Sequence, residues 1–374
     1  MKHTILTLLL CALAVLIPAA GAAAKGDTVN RAEWMAGHYG IMTHWFVYPD
    51  LALPEGTQEE RTAWFNEQVD AFDVKTLMKQ FDETGAEWLI FTLAQSNGYF
   101  NSANPFLDRV YPGHTPKRDL GLEIAREVKK RGKRFIIYLP GQFNNTDQYA
   151  KGLEEAFCWK KGEDNSVNPE FEDCMAALFE GYARKYGRLC DGWWIDGCYH
   201  ELHREKWDWE RWCRAMRSGN PDSAVALSDG SFCIGILKPL YDGCDYFGGE
   251  THDIEKGMIR IDATIGPKED YGEGKKFYLN DEGYVRVKGE RPRFFVPATQ
   301  YICGQQLQSL MCLDQPWSEM PVEWNSYSAE ELAMLARNMK RARGGLTINI
   351  PNTGNGSLQQ STVDKVAEMG RLIK

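Results

Sequence analysis

One stretch of sequence decides the fold of this chain: Cys190-Asp191-Gly192-Trp193-Trp194-Ile195-Asp196-Gly197-Cys198-Tyr199-His200-Glu201. The apolar run Trp193, Trp194 and Ile195 predicts a short buried strand. Asp196 lies where that strand ends, and Gly197 beside it permits a positive φ and a close approach by another group. A carboxylate at the end of a buried strand costs free energy unless it is paired or used. Asp196 is therefore either a cap of the following turn or a catalytic group, and the rest of the chain must decide.

Other short apolar runs repeat this form, and each ends in polar or glycine residues. The predicted strands are 40–45, 88–92, 134–139, 192–196, 224–228, 245–249, 309–313 and 346–350. The helical spacing of apolar residues predicts one helix that begins at 73 and ends at 85. It predicts further helices at 118–131, 169–186, 205–216, 329–343 and 359–373. Residues 50–70 are expected to form a polar, irregular excursion. Strands that alternate with helices predict an α/β fold, a parallel (β/α)8 TIM-like barrel.

The chain is predicted to be an exported protein with one catalytic domain. Lys2 and His3 precede an apolar run at 5–17, and small residues follow up to Ala24, which indicates a signal peptide over 1–24. The location is then periplasmic or secreted. Residues 25–374 are expected to form the single domain, with an insertion around 265–293 that contains a hairpin and without a C-terminal β-sandwich.

Composition excludes several kinds of partner. The net charge of -9 argues against nucleic acid or an anionic membrane as the main partner, and no stretch after the signal peptide looks transmembrane. The chain has 10 cysteines but no C-x-x-C pair, so we expect no zinc site, no other metal and no cofactor. The 12 Trp, 16 Tyr and 17 Phe suit sugar rings, although most of them are expected in the core. The sequence leaves the oligomeric state open.

The predicted active site lies at the carboxyl ends of the strands, where barrel enzymes place their chemistry. The residues at these ends are His44, Trp45, Gln95, Tyr138, Asp196, Asp229, Glu250, Asp314, Trp317 and Asn349. This set is rich in carboxylates and aromatic rings, and it lacks a phosphate-binding glycine loop and a serine nucleophile elbow. Two carboxylates that face each other across a cleft are the usual equipment for glycoside hydrolysis.

The two catalytic carboxylates are predicted to be Asp196 and Glu250, on the fourth and sixth strands. One must stay ionised to attack the anomeric carbon, and the other must hold a proton for the leaving oxygen. In a closed barrel these strands are near enough for the two side chains to flank one bond. Other carboxylates compete for the proton-donor role, namely Glu201, Asp229, Asp314 and Glu319.

Segments spread over most of the predicted domain resemble motifs of a known family. His44-Trp45 after Gly40-Ile41 resembles G-I-F-x-H-W-G, and Phe72-Asp73 with Gly85-Ala86-Glu87-Trp88 resembles F-D-x(n)-G-A-K-Y. Lys117-Arg118-Asp119-Leu120 resembles R-D-L, and Trp194-Ile195-Asp196-Gly197 resembles W-x-D-G. Ser328-Ala329-Glu330-Glu331-Leu332 resembles S-A-E-E-L, and the run from Gly344 to Pro351 resembles G-G-N-L-L-L-N-V-G-P. In this order, these motifs resemble glycoside hydrolase family 29, the α-L-fucosidases.

The resemblance implies a retaining exo-glycoside hydrolase that acts on α-L-fucosides or closely related α-L-sugars by double displacement. Asp196 would be the nucleophile and Glu250 the acid/base. His44 would hydrogen-bond a sugar hydroxyl, and Trp317 would line the pocket. The other strand-end residues expected to bind the glycan substrate are Trp45, Gln95 and Tyr138.

Two departures from the family pattern keep other functions open. The loop K-H-H-D-G-F, whose two histidines help to hold the fucose hydroxyls, reads Ala94-Gln95-Ser96-Asn97-Gly98-Tyr99. The segment W-E-x-C-M reads Leu307-Gln308-Ser309-Leu310-Met311, without the glutamate. The alternatives are an α-L-galactosidase or another glycosidase of shifted specificity, or a glycan-binding relative without catalysis.

Overall fold

The structure is a computed structural model. It describes residues 30–45, 54–95, 97–143, 150–159, 168–198, 207–228, 239–251, 254–261, 293–315, 317 and 326–374. The predicted signal peptide and nearly all of the predicted insertion lie outside the described residues. So do three of the candidate carboxylates, Glu201, Asp229 and Glu319.

The strands follow the predicted alternation. In chain order they are β1 (Tyr39–Thr43), β2 (Trp88–Thr92), β3 (Arg134–Pro140), β4 (Gly192–Asp196), β5 (Ala224–Leu227), β6 (Glu250–Thr251), β7 (Ile254–Glu255), β8 (Met258–Ile261), β9 (Arg293–Phe295), β10 (Tyr301–Ile302), β11 (Gln305–Gln306), β12 (Gln308–Cys312) and β13 (Gly345–Asn349). Eight of them form one parallel sheet in the order β5-β4-β3-β2-β1-β13-β12-β6. The others form small antiparallel sheets, β7-β8-β9 and β10-β11.

The described α-helices are α1 (Gln58–Ala71), α2 (Val74–Thr84), α3 (Pro105–Val110), α4 (Leu120–Lys130), α5 (Leu153–Ala156), α6 (Pro169–Tyr186), α7 (Trp209–Met216), α8 (Ala329–Ala342) and α9 (Gln360–Leu372). Seven of these nine helices begin where a side chain accepts a hydrogen bond from a first-turn N–H group, and α5 and α9 do not. The predicted cap Asp73 accepts from the Thr76 N–H group, and Asn168 caps α6 in the same way. Gly85 ends α2 with φ of 68°, as predicted.

The main sheet separates two hydrophobic cores. In β3, Ile136 and Tyr138 face one core, while Phe135, Ile137 and Leu139 face the other. The first core also takes residues from many other strands, including Met42, Ile90, Trp194, Ala226 and Leu310. Side chains from strands at opposite ends of the sheet order can share one core only if the sheet curls around it. The second core lies under the helices.

Three contacts link the two ends of the sheet order. The Asp245 N–H group donates to the Val225 carbonyl of β5 at 2.8 Å. Further along, Tyr246 Oη donates to the Trp193 carbonyl at 2.8 Å. Ser228, just after β5, donates from Oγ to Glu250 Oε1 of β6 at 2.9 Å. The α/β fold with a strongly curled, eight-stranded parallel sheet is confirmed. No strand ladder joins β5 to β6 among the described residues, so complete closure of the barrel stays a prediction.

Two elements differ from the sequence prediction. The prediction of an irregular segment at 50–70 was wrong, because α1 occupies most of that segment. Thr57 and Glu60 form a reciprocal capping box there, and Phe65 and Val69 are buried. The sixth strand was expected at 245–249 but lies at β6, because Gly249 takes φ of 73° and ladder pairing with β12 begins only at Glu250. Glu250 thus lies inside its strand rather than after it.

Candidate active site

The carboxyl ends of β2, β3 and β4 bring three predicted residues into direct contact. Tyr138 Oη donates to Asp196 Oδ2 at 2.6 Å, and Gln95 Nε2 donates to the same oxygen at 2.9 Å. Gln95 Nε2 also donates to Tyr138 Oη. Asp196 is the last residue of β4, and its carbonyl accepts from the Gly141 N–H group at 2.6 Å. The carboxylate is therefore fixed by both its backbone and its side chain.

Opposing effects act on the ionisation of Asp196. Burial raises the pKa of its carboxyl above the ordinary value, and hydrogen bonds from Tyr138, Gln95 and the Gly197 N–H group offset only part of this rise. Both side-chain donors bind Oδ2, so Oδ1 lies outside that side-chain network. An oriented carboxylate of this kind can act as a nucleophile or as a base.

A second group of residues lies beside the first. His44 Nδ1 is 2.7 Å from Asn349 Oδ1, and Asn349 Nδ2 donates to the Trp317 carbonyl at 2.8 Å. Because the Asn349 amide nitrogen faces a carbonyl, its oxygen faces His44, which must then carry its proton on Nδ1. Burial lowers the pKa of His44 to about 4. The ring is thus neutral at pH 7, and Nε2 is a hydrogen-bond acceptor.

Trp317 forms a wall of this group. Its ring centroid is 5.3 Å from that of His44, and the ring of Tyr138 meets His44 edge-on at 5.0 Å. The backbone of Trp317 has φ of 55°, a strained conformation for a tryptophan. It is held by its N–H group, which donates to Cys312 Sγ at 3.3 Å, and by the Asn349 amide on its carbonyl. Such strain is found where a site requires it.

Glu250 lies at the same end of the sheet. It is 9% exposed, and it accepts from Ser228 Oγ at 2.9 Å. The Ser228 N–H group in turn donates to the Ile195 carbonyl, next to Asp196, at 2.7 Å. The charge of Glu250 also contributes, after burial, to raising the pKa of Cys312. Glu250 therefore lies on the far side of β5 from Asp196, and near Cys312, whose Sγ accepts from the Trp317 N–H group.

Two of the named candidates lie elsewhere. Trp45 is 2% exposed in the helix-side core, where its ring meets Phe72 and its indole nitrogen donates to the Gly354 carbonyl at 2.6 Å. Asp314 pairs with Lys365 of α9 at 2.5 Å. Although burial raises the pKa of Asp314, hydrogen bonds from Lys365, Ser326 and Thr362 bring it below its ordinary value. A carboxyl so stabilised as an anion is a poor proton donor.

Sequence reasoning missed two residues that support the site. Ser228 bonds Glu250, and Cys312 holds the backbone of Trp317. Both stand at or near the ends of predicted strands, which is the only signal that could have found them. Among the described residues, no three metal-ligating side chains gather into a group. No helix of the described chain is long and apolar enough to cross a membrane.

The comparison with protein families decides the membership of this chain. A family model described as alpha-L-fucosidase matches residues 21–281, which include Asp196 and Glu250. The chain belongs to the α-L-fucosidase family. It is a glycoside hydrolase, and the resemblance seen in the sequence motifs is confirmed. No curated protein sequence matches the chain.

Solved structures agree with this family fold. An endo-fucoidan hydrolase of glycoside hydrolase family 107 superposes with a TM-score of 0.61 at 14% identity, over 92% of this chain and 94% of the other. Alpha-L-fucosidase isoenzyme 1 from Paenibacillus thiaminolyticus gives 0.58 at 16% identity, over 91% and 74%. A GH29 fucosidase from Ruminococcus gnavus in complex with fucose gives 0.55 at 13% identity, over 92% and 66%. At these identities the structures share the fold of this α-L-fucosidase family member.

Proposed function

We propose that this family member is a retaining exo-glycosidase that acts on α-L-fucosides or closely related α-L-sugars by double displacement. The observation that carries the proposal is the carboxylate of Asp196, held at the end of β4 by Tyr138 and Gln95. A nucleophile must be ionised and aimed before the substrate arrives, and two donors on one oxygen serve both needs.

In the first step, Asp196 attacks the anomeric carbon and forms a glycosyl-enzyme while the glycosidic bond breaks. The leaving oxygen takes a proton from Glu250. In the second step, Glu250 takes a proton from water, the water oxygen bonds the anomeric carbon, and Asp196 leaves as a carboxylate. Tyr138 and Gln95 then stabilise the negative charge that returns to Oδ2.

Glu250 is proposed as the acid/base because of its surroundings. It is buried at the same end of the sheet as Asp196. Ser228 bonds one of its oxygens and connects it to the backbone beside Asp196. Among the described competitors, Asp314 is already engaged by Lys365. Glu201, Asp229 and Glu319 remain alternatives for this role.

The sugar would be bound mainly by neutral and aromatic groups. We propose that His44 Nε2 accepts a hydrogen bond from a sugar hydroxyl and that Trp317 packs on the sugar ring. Both nitrogen-bound hydrogens of Gln95 are used by Asp196 and Tyr138. Gln95 therefore supports the nucleophile and does not replace the donors of the family's missing histidine pair.

This use of Gln95 favours a second candidate function, a glycosidase of shifted specificity. A pocket with fewer fixed donors around the sugar accepts a different hydroxyl pattern, such as that of an α-L-galactoside. We also propose that the curled sheet closes as a (β/α)8 barrel, since contacts already link β5 to the segment of β6. The sequence at 1–24 supports export to the periplasm or outside the cell.

The test is hydrolysis of p-nitrophenyl glycosides by the wild-type protein and by Asp196→Asn. We expect turnover of the α-L-fucoside or α-L-galactoside, no turnover of the β-D-galactoside, and a loss of at least about 1000-fold in kcat for the variant. The matched control is Asp222→Asn, an exposed carboxyl at the opposite end of the sheet, which should keep full activity. Wild-type turnover that survives Asp196→Asn would refute the nucleophile. Sugar binding without any turnover would favour the non-catalytic alternative.

A further inference from the structure

A cavity of about 730 Å³ opens at the opposite end of the sheet from Asp196. Its lining residues stand at the N-terminal ends of strands: Trp34 precedes β1, Arg134 begins β3, and Asp191 precedes β4. Asp191 directly precedes β4, and Asp196 is the last residue of β4. At the rise per residue of a parallel strand, the two residues are about 16 Å apart. The cavity is therefore separate from the candidate active site.

Positive charge is in excess around this cavity. Asp191 is 6% exposed and is shared by Lys129, at 2.7 Å, and Arg134, at 2.8 Å. Two more carboxylates line the cavity: Asp222 pairs with Arg188, and Glu33 pairs with Arg343 from outside the lining. The lining therefore holds four cationic side chains and three carboxylates, namely Arg31, Lys129, Arg134 and Arg188 with Glu33, Asp191 and Asp222. Positive charge is thus in slight excess here, in a chain whose net charge is -9.

Hydrogen-bond donors are in excess as well. The oxygens of Asp191 already accept from Lys129, Arg134 and the Phe135 N–H group. Arg134 donates only from Nη1, and Arg31 donates from Nε to the Pro221 carbonyl and makes a long 3.4 Å contact from Nη1 to Asp245. Within the described chain, Nε and Nη2 of Arg134 and Nη2 of Arg31 have no acceptor. Guanidinium N–H groups that lack an acceptor bind planar or tetrahedral oxoanions well.

An aromatic ring adjoins these donors. The Arg134 guanidinium carbon lies 5.6 Å from the ring centroid of Trp34, which also lines the cavity and is partly exposed. The stacking orients the guanidinium, and the ring offers an apolar surface to whatever the guanidinium binds. We propose that this cavity is a second binding site, for a small ligand that carries a sulfate, phosphate or carboxylate group. The proposal is independent of the proposed catalytic function.

The experiment measures binding of radiolabelled inorganic sulfate by equilibrium dialysis at constant ionic strength. Arg134→Gln removes the central guanidinium but leaves Asp191 paired with Lys129. Arg184→Gln is the matched control, since Arg184 is 69% exposed on α6, outside the cavity, and its loss changes the net charge equally. Asp196→Asn shows whether the ion binds at the active site instead. Circular dichroism checks folding, and Arg31→Gln is the second variant should Arg134→Gln not fold.

We expect one sulfate per wild-type chain, at least tenfold weaker binding by Arg134→Gln, and unchanged binding by Arg184→Gln and Asp196→Asn. Competition then identifies the source of the anion. If galactose 6-sulfate displaces the labelled sulfate more strongly than unlabelled sulfate does, the ligand is a charged sugar whose ring packs on Trp34. If phosphate or acetate displaces it as strongly as unlabelled sulfate does, the ligand is a free oxoanion. The proposal is overturned if wild type binds no sulfate, if Arg134→Gln binds as tightly as wild type, or if Asp196→Asn changes the affinity for sulfate in either direction.

Discussion

Single side chains carry most of the chemistry inferred for this glycoside hydrolase. Asp196 and Tyr138 come from neighbouring strands, and Gln95 follows β2 on a loop. The carboxylate binds two side-chain donors, whereas His44 is buried as a neutral ring. A charged group and a neutral acceptor thus lie on either side of Tyr138. This arrangement suits a nucleophile beside a hydroxyl-binding group.

Glu250→Ala should slow the hydrolysis of glycosides with poor leaving groups far more than that of aryl glycosides with good ones. A good leaving group needs little protonation, so the loss of the acid then matters less. The expected loss is about 100-fold or more for the natural linkage and much smaller for a dinitrophenyl glycoside, measured as kcat/KM. Glu255→Ala, at an exposed position, is the control. Equal losses on both substrates would remove Glu250 from the acid role.

Stability should fall as the pH drops from about 6.5 to about 4, and His44 should contribute to the fall. Burial holds its pKa at about 4 in the folded chain, below the ordinary histidine value of 6.5. The unfolded chain therefore binds more protons in this window, so the free energy of unfolding decreases as pH decreases. His44→Gln should weaken this dependence in denaturant titrations between pH 4 and 7. His38→Gln, at an exposed ring, is the control, and an unchanged slope in His44→Gln would contradict a buried neutral His44.

At the scale of elements, helix caps and hydrogen bonds between distant residues both help to position the side chains of the site. α8 starts at a capping box in which Ser328 and Glu331 bond each other's backbone N–H groups. The helix leads directly into β13, which ends at Asn349, the partner of His44. The start and end of this helix therefore influence where the strand delivers Asn349.

Ser328→Ala should lower the free energy of unfolding by about 1 kcal/mol, because the Glu331 N–H group in the first turn loses its Ser328 Oγ acceptor. Thermal or denaturant unfolding measures the change. Ser218→Ala is the matched control, since Ser218 is exposed and lies outside a helix. A loss no larger than that of the control would mean that the cap does not stabilise α8.

At the scale of the molecule, the ends of the sheet order are tied by Asp245. Its Oδ2 accepts from the Val225 N–H group of β5 at 2.9 Å and from Arg217 Nη2 at 2.6 Å. Its carbonyl accepts from Asn30, which brings the chain before β1 to the same place. One buried carboxylate therefore joins β5, the segment before β6 and the start of the described chain.

Asp245→Ala should cost about 3 kcal/mol of unfolding free energy, because the half-buried Arg217 loses its carboxylate and the Val225 N–H group loses its acceptor. The measurement is denaturant unfolding at neutral pH. Asp222→Ala removes a carboxylate from an exposed pair with Arg188 and should change stability by less than about 1 kcal/mol. Equal effects of the two changes would show that the tie at Asp245 is not structural.

The sequence by itself determined most strands of the main sheet, most of the longer helices and the family. The predicted strand 192–196 and helix 169–186 match β4 and α6 in both bounds, because alternation, periodicity and capping act between near neighbours. The same local signals placed Asp196 at a strand end. The polar composition of 50–70 concealed α1, whose capping box at Thr57 the sequence prediction missed.

Only the tertiary structure decided which side chains meet. Gln95 and Asp196 are 101 positions apart, and His44 and Asn349 are 305 apart. The curl of the sheet sets those contacts, and no local pattern records it. Trp45 follows His44 directly, yet it points into the helix-side core because neighbouring residues leave opposite faces of an extended chain. Sequence thus located the strand ends, and packing selected the partners, since hydrogen bonds between distant residues depend on the assembled sheet.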